Sequence, residues 1–107
     1  MKIFISMPMK SKSVEQVRVE MDSIFEHIKK KIPEAELIES IIEGADKTVA
    51  LEGDDMGVWY LGESIKILSE ADLIFFVNDW KEYRGCAIEN DVARAYGKFC
   101  VEINITI

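Results

Sequence analysis

The run Leu73–Val77 (LIFFV) is apolar at every position. A strand with one wet face alternates apolar and polar residues. A strand without alternation is buried on both faces, as in a parallel sheet covered by helices. Ile3–Ile5 repeats the pattern inside the segment Met1–Met7. Two such strands leave few folds open, because parallel neighbours need a long crossover between them, usually a helix.

The intervening segments supply the helices. Ser13 followed by Gln16 predicts a capping box. Val14, Val17, Met21, Ile24, Phe25 and Ile28 then recur at helical spacing, and Pro33 ends the run. Val58–Ala71 carries Leu61, Ile65 and Leu68 on one stripe, with Trp59 and Tyr60 at its start. Gly62 inside that helix costs about 1 kcal/mol against alanine, which points to close packing or to a ligand's approach. A third helix, entered after Gly85, places Ile88, Val92, Ala93, Ala95 and Tyr96 on its apolar side and ends with Gly97 at C′. Asp72–Val77, Ala35–Ser40 and Phe99–Ile105 read as further strands. Ile41–Gly57, rich in glycine and acids, is either a solvated loop or a lid, and Asp54 or Asp55 is placed to cap the next helix. The order β-α-β-loop-α-β-α-β predicts one α/β domain over residues 1–107. It is a small flavodoxin-like or Rossmann-like three-layer sandwich with a parallel four-stranded sheet.

Charge and composition exclude several functions. The net charge is −7, and the one basic run, Lys29-Lys30-Lys31, ends a helix, where it complements the dipole. Nucleic-acid binding is not expected of such a chain. No apolar run approaches the ~20 residues of a membrane span, and the apolar part of the N-terminus is too short for a signal peptide. A cytoplasmic protein is expected, with Cys86 and Cys100 as free thiols. The single histidine, His27, sits mid-helix as a surface residue, so neither a metal nor a cofactor is expected. The phosphate-binding patterns GxGxxG and GxxxxGK[ST] and the nucleophile elbow GxSxG are absent.

Glu89 remains. It follows the central strand and a polar loop, near the first turn of the third helix. The positive end of a helix favours a carboxylate, so Glu89 is expected to stay ionised. An ionised carboxylate beyond the strand ends of an open α/β sheet can attack an anomeric carbon, as in retaining glycosidases. A capping or dipole role is the plainer alternative.

The stretch from Trp59 to Lys98 resembles the nucleoside 2-deoxyribosyltransferase-like family, in particular its small members, many of them phage-encoded and uncharacterised. The resemblance is carried by the turn Ser6-Met7-Pro8, the pair Ala71-Asp72, the strand Leu73–Val77, and the helix start with Gly85, Glu89 and Ala93. It implies transfer or hydrolysis of an N-glycosidic bond in a deoxynucleoside or its 5′-monophosphate, with Glu89 as nucleophile; Glu63, or an acid of the 41–57 stretch, is then the expected proton donor in this chain. It also implies that the turn at Ser6, Met7 and Pro8 binds base or sugar, and that Arg84, Gly85 and Cys86 face sugar hydroxyls or a 5′-phosphate. Tyr60 and Trp80 would stack on a base, although core packing suits either aromatic equally. Asn78, Asp79 and Ser64 complete the expected binding set, and a homo-oligomer is implied.

The chain departs from the family pattern at two helper positions. Relatives carry an aspartate eight residues before Asp72, where this chain has Ser64 beside Glu63. An acid or serine six residues before the nucleophile is Tyr83 here, beside Glu82. These departures keep open a second reading, a catalytically inactive nucleotide-binding module that sequesters or senses a nucleotide-derived ligand.

Overall fold

Each of the two unbroken apolar runs is a central strand in the computed structural model, which describes residues 1–9, 12–41 and 53–105, the side chains of 53–55 excepted. The order is β1 (Lys2–Ser6), α1 (Val14–Lys31), β2 (Glu36–Leu37), α2 (Gly53–Leu68), β3 (Leu73–Val77), a 3-10 turn (Trp80–Glu82), α3 (Arg84–Ala95) and β4 (Phe99–Ile103). The sheet runs β2-β1-β3-β4 and every pairing is parallel. Ile5 lies opposite Phe75 and Phe75 opposite Val101.

Side chains alternate across a strand, so the sheet sends its apolar residues both ways. Ile3, Ile5, Met7, Phe75 and Val77 pack against Val17, Met21, Ile24 and Ile28 of α1. Phe4, Ile74 and Phe76 pack on the other face with Leu68, Ala71 and Ala93, from α2, the segment after it, and α3. This is the three-layer α/β sandwich, with the sheet as its middle layer.

Helix ends follow local chemistry. The Ser13 hydroxyl accepts from the Gln16 N–H at 3.1 Å, and the Gln16 side chain accepts from the Ser13 N–H at 3.2 Å, closing the capping box. Gly97 has φ 72°, the left-handed conformation that suits C′. The Lys98 N–H then reaches the Ala93 carbonyl at 2.9 Å, and the Gly97 N–H that of Arg94 at 3.2 Å, as in a Schellman motif.

Four expectations need correction. β2 is shorter than Ala35–Ser40, because only Glu36 and Leu37 hold ladder geometry on this exposed edge. α2 begins at Gly53 rather than Val58, so Asp54 and Asp55 lie within its first turn instead of before it. Among the described residues, a Cβ at Gly62 would meet nothing within 4 Å, so close packing is not the reason for that glycine. The buried side of α3 is Cys86, Glu89, Asn90 and Ala93, while Ala95 and Tyr96 are exposed. An apolar stripe misses a helix face that buries polar side chains. Residues 42–52 lie outside the described residues, and with them the choice between loop and lid. Among the described residues, no helix is long and apolar enough to cross a membrane.

Candidate functional site

In an open parallel sheet the crossovers diverge where strand order reverses, here between β1 and β3, and a crevice opens outside the carboxyl ends of those strands. A cleft of about 790 Å³ lies there. Its described lining comes from β1 and its turn (Phe4 to Met9), from Ser40 beyond β2, from α2 (Gly57, Tyr60, Leu61, Ser64), and from the segment Glu82 to Cys86 with Glu89.

Three elements bring one carboxylate and two hydroxyls together. Ser6 ends β1 on the same face as Phe4, toward α2 and α3. Ser64 lies three residues after Leu61 and four before Leu68, on the inward side of α2. Glu89 sits on the buried side of α3, three residues after Cys86 and four before Ala93. The Ser6 hydroxyl donates to Glu89 Oε1 at 3.0 Å, and the Ser64 hydroxyl donates to Oε2 at 2.7 Å. Glu89 is only 6% exposed. Among the described residues each carboxylate oxygen is therefore anchored once, with a second lone pair for another partner.

Burial pushes the Glu89 pKa up from the ordinary glutamate value, and the hydrogen bonds from Ser64 and Ser6 offset part of that rise. This corrects the expectation that the helix dipole governs its charge. Glu89 is the sixth residue of α3, past the first turn to which the dipole's influence is confined. Cys86 lies beside it in the cleft wall. Burial drives its thiol up to about 11, a hydrogen bond with Ser6 lowers it in part, and the Glu89 charge raises it. Such a thiol is no nucleophile at neutral pH.

Arg84, Gly85 and Cys86 form the first turn of α3 and line the cleft. A Cβ built on Gly57 would stand 3.9 Å from Arg84 Nη2, which places the guanidinium against α2 across the cleft. The Tyr83 side chain makes no cap hydrogen bond to this helix start. A guanidinium beside helix N–H groups can take an anionic group. Tyr60 lines the cleft with Trp59 edge-on to it, ring centroids 5.1 Å apart.

Ser6, Met7, Pro8, Tyr60, Ser64, Arg84, Gly85, Cys86 and Glu89 thus share one cleft, and four other expected site residues stand elsewhere. The Glu63 carboxylate pairs with Lys66 Nζ at 2.9 Å, and Glu63 does not line the cleft. Successive helix residues point about 100° apart, so Ser64 facing inward turns Glu63 aside. Trp80 packs on Phe76, with centroids 5.2 Å apart, under the Lys81 ammonium. Asn78 holds the backbone of Ile105, donating to its carbonyl at 2.6 Å and accepting its N–H at 2.9 Å. Asp79, left-handed at φ 57°, borders a separate cavity of about 160 Å³ together with Asn78.

Sequence reasoning missed Ser40, Gly57, Leu61 and Glu82 as cleft residues, along with Phe4, Ile5 and Tyr83. Ser40 was findable, since it follows β2 at the same end of the sheet as Ser6. Leu61 and Gly57 lie one and two turns before Ser64 on its side of α2; Leu61 reads as core on the apolar stripe, and Gly57 becomes visible only once α2 is known to start at Gly53. No family model, curated protein or solved structure matches the chain.

Proposed function

We propose that this protein binds a deoxynucleoside or deoxynucleoside 5′-monophosphate in the cleft and transfers or hydrolyses its N-glycosidic bond, with Glu89 as nucleophile. The observation that carries the reading is a buried carboxylate at the switch point of the sheet, each oxygen fixed by one serine hydroxyl. A carboxylate held this way is oriented before substrate arrives. A Glu89 oxygen attacks C1′ of the sugar, the C1′–N bond breaks, and its electron pair leaves with the base. The resemblance to nucleoside 2-deoxyribosyltransferases supports the same assignment. Water, or a second base, then opens the glycosyl ester and restores Glu89.

The departing base needs a proton, and Glu63 faces away from it. Glu82 is the other carboxylic side chain that lines the cleft among the described residues, and it takes that role here. Arg84 and the N–H groups of α3 hold a 5′-phosphate when one is present. Tyr60 stacks on the base, an interaction of about 1–3 kcal/mol in single-stranded complexes. A cytoplasmic setting suits the free thiols Cys86 and Cys100. The test is incubation with a panel of deoxynucleosides and their 5′-monophosphates, following free base by chromatography. Base release should vanish in Glu89→Ala and fall in Glu82→Gln. Undiminished release in Glu89→Ala refutes the assignment.

One observation favours a second reading, a nucleotide-binding module without turnover. The group that touches Glu89 from α2 is a hydroxyl, where family members carry a carboxyl. Ser64→Asp discriminates. It sets two carboxyls within hydrogen-bonding distance, so that they share a proton, and this supplies an acid beside the nucleophile. A wild type that binds a nucleotide without releasing base, and a variant that releases it, identify the binding module.

A further inference from the structure

β4 closes one side of the sheet. It pairs with β3, and among the described residues no strand lies on its other side. Phe99 is 75% exposed and Val101 36%, both on the face that α1 covers farther along the sheet. The outer edge has a definite pattern. The Asn78 N–H donates to the Ile103 carbonyl at 3.1 Å, so the odd-numbered residues of β4 turn their backbone groups toward β3. By alternation, Cys100 and Glu102 turn theirs outward. A row of unpaired outward N–H and C=O groups is a template for another strand.

We propose that two copies of this chain pair antiparallel along β4, about a two-fold axis at Cys100. Cys100 then opposes the partner's Cys100, and the two exchange a pair of N–H···O bonds. Glu102 opposes the partner's Lys98 and donates its N–H to that carbonyl. The Lys98 N–H itself stays on Ala93, at 2.9 Å. The Lys98 ammonium holds the carbonyls of Ser69 and Ala71 at 2.7 and 2.9 Å, which leaves its third hydrogen for the facing Glu102 carboxylate. On the opposite face, Phe99 of each copy packs against the partner's Val101. Charge selects this register. An axis at Glu102 sets that carboxylate against itself, and an axis at Val101 places Lys98 opposite Asn104 and Glu102 opposite a thiol, so neither charge meets its opposite.

The test measures the molar mass of the full chain by sedimentation across a dilution series, beside Glu102→Pro and Phe99→Lys. Proline removes the outward N–H of residue 102 and leaves the β3 ladder intact, a placement that edge strands tolerate. The wild type is expected to be a dimer, and both variants folded monomers by circular dichroism. Copper phenanthroline with dioxygen, which takes two electrons and two protons from a pair of thiols, should link the wild type through Cys100. The expected Cα separation of about 5.5 Å in such a pair lies within disulfide range. Cys100→Ser should abolish the link. A wild type that stays monomeric, a dimer that survives both variants, or a dimer that gives no Cys100 link overturns the proposal. Should Glu102→Pro fail to fold, Phe99→Lys and the link decide alone.

Discussion

Glu89 sits between two opposing forces, and their balance can be read from pH. Removal from water disfavours its charge, while two hydroxyl donors favour it, and burial is the larger. Between the ordinary glutamate value near 4.5 and the raised native value, the folded chain holds a proton that the unfolded chain has lost. Stability therefore falls as pH rises through that window. Glu89→Gln carries no such proton. The melting temperature of the variant minus that of the wild type should increase from pH 4.5 upward, and a difference independent of pH contradicts the burial argument. Cys86 gives a second check. With its thiol at about 11, iodoacetamide at pH 8 should leave Cys86 unmodified in the folded chain, whereas labelling as fast as in the unfolded chain would contradict that burial. At this scale the sequence was partly readable. Glu89 and Ser6 stand out from position alone, because one follows the central strand and the other ends the first. Glu63 and Ser64 are neighbours in sequence, and only the rotation of α2 about its axis decides which of them faces Glu89. Trp80 could turn to either side of the strand end, and its packing on Phe76 is a tertiary choice.

Among the elements, α1 was the most legible, since its capping box, its apolar spacing and Pro33 all point to the same limits. α2 was the least. Gly53, Asp54 and Asp55 look like a loop by composition, yet the backbone is helical from Gly53 onward. α3 shows a different limit. Its buried side carries Glu89 and Asn90, so an apolar stripe points to the wrong face. Gly62 lies exposed on α2 with open space where a Cβ would go. Gly62→Ala should therefore raise stability by about 0.5–1 kcal/mol, by removing backbone freedom from the unfolded chain. Chemical denaturation measures it, and a loss of stability would contradict the open space at this position.

For the whole molecule, two unbroken apolar runs imply a sheet buried on both faces, and the helices divide between those faces as the alternation of side chains requires. Phe76 is fully buried on the side of α2 and α3. Phe76→Ala should cost about 3–5 kcal/mol, and a cost below about 1 kcal/mol would mean that this half of the core is not tightly packed. Strand order was not readable from periodicity, because parallel strands with similar apolar content can be arranged in several ways. That order decides where the cleft lies, and the cleft is what turns Ser6, Ser64 and Glu89 into one unit. The most direct test of that unit is the intact mass of the protein, acid-quenched during turnover of a deoxynucleoside or its 5′-monophosphate, followed by peptide mapping. The expected result is the added mass of one deoxyribosyl group on the peptide that contains Glu89, absent in Glu89→Gln. Base release with no adduct at Glu89, and with the same rate in Glu89→Gln, would contradict the assignment of Glu89 as nucleophile.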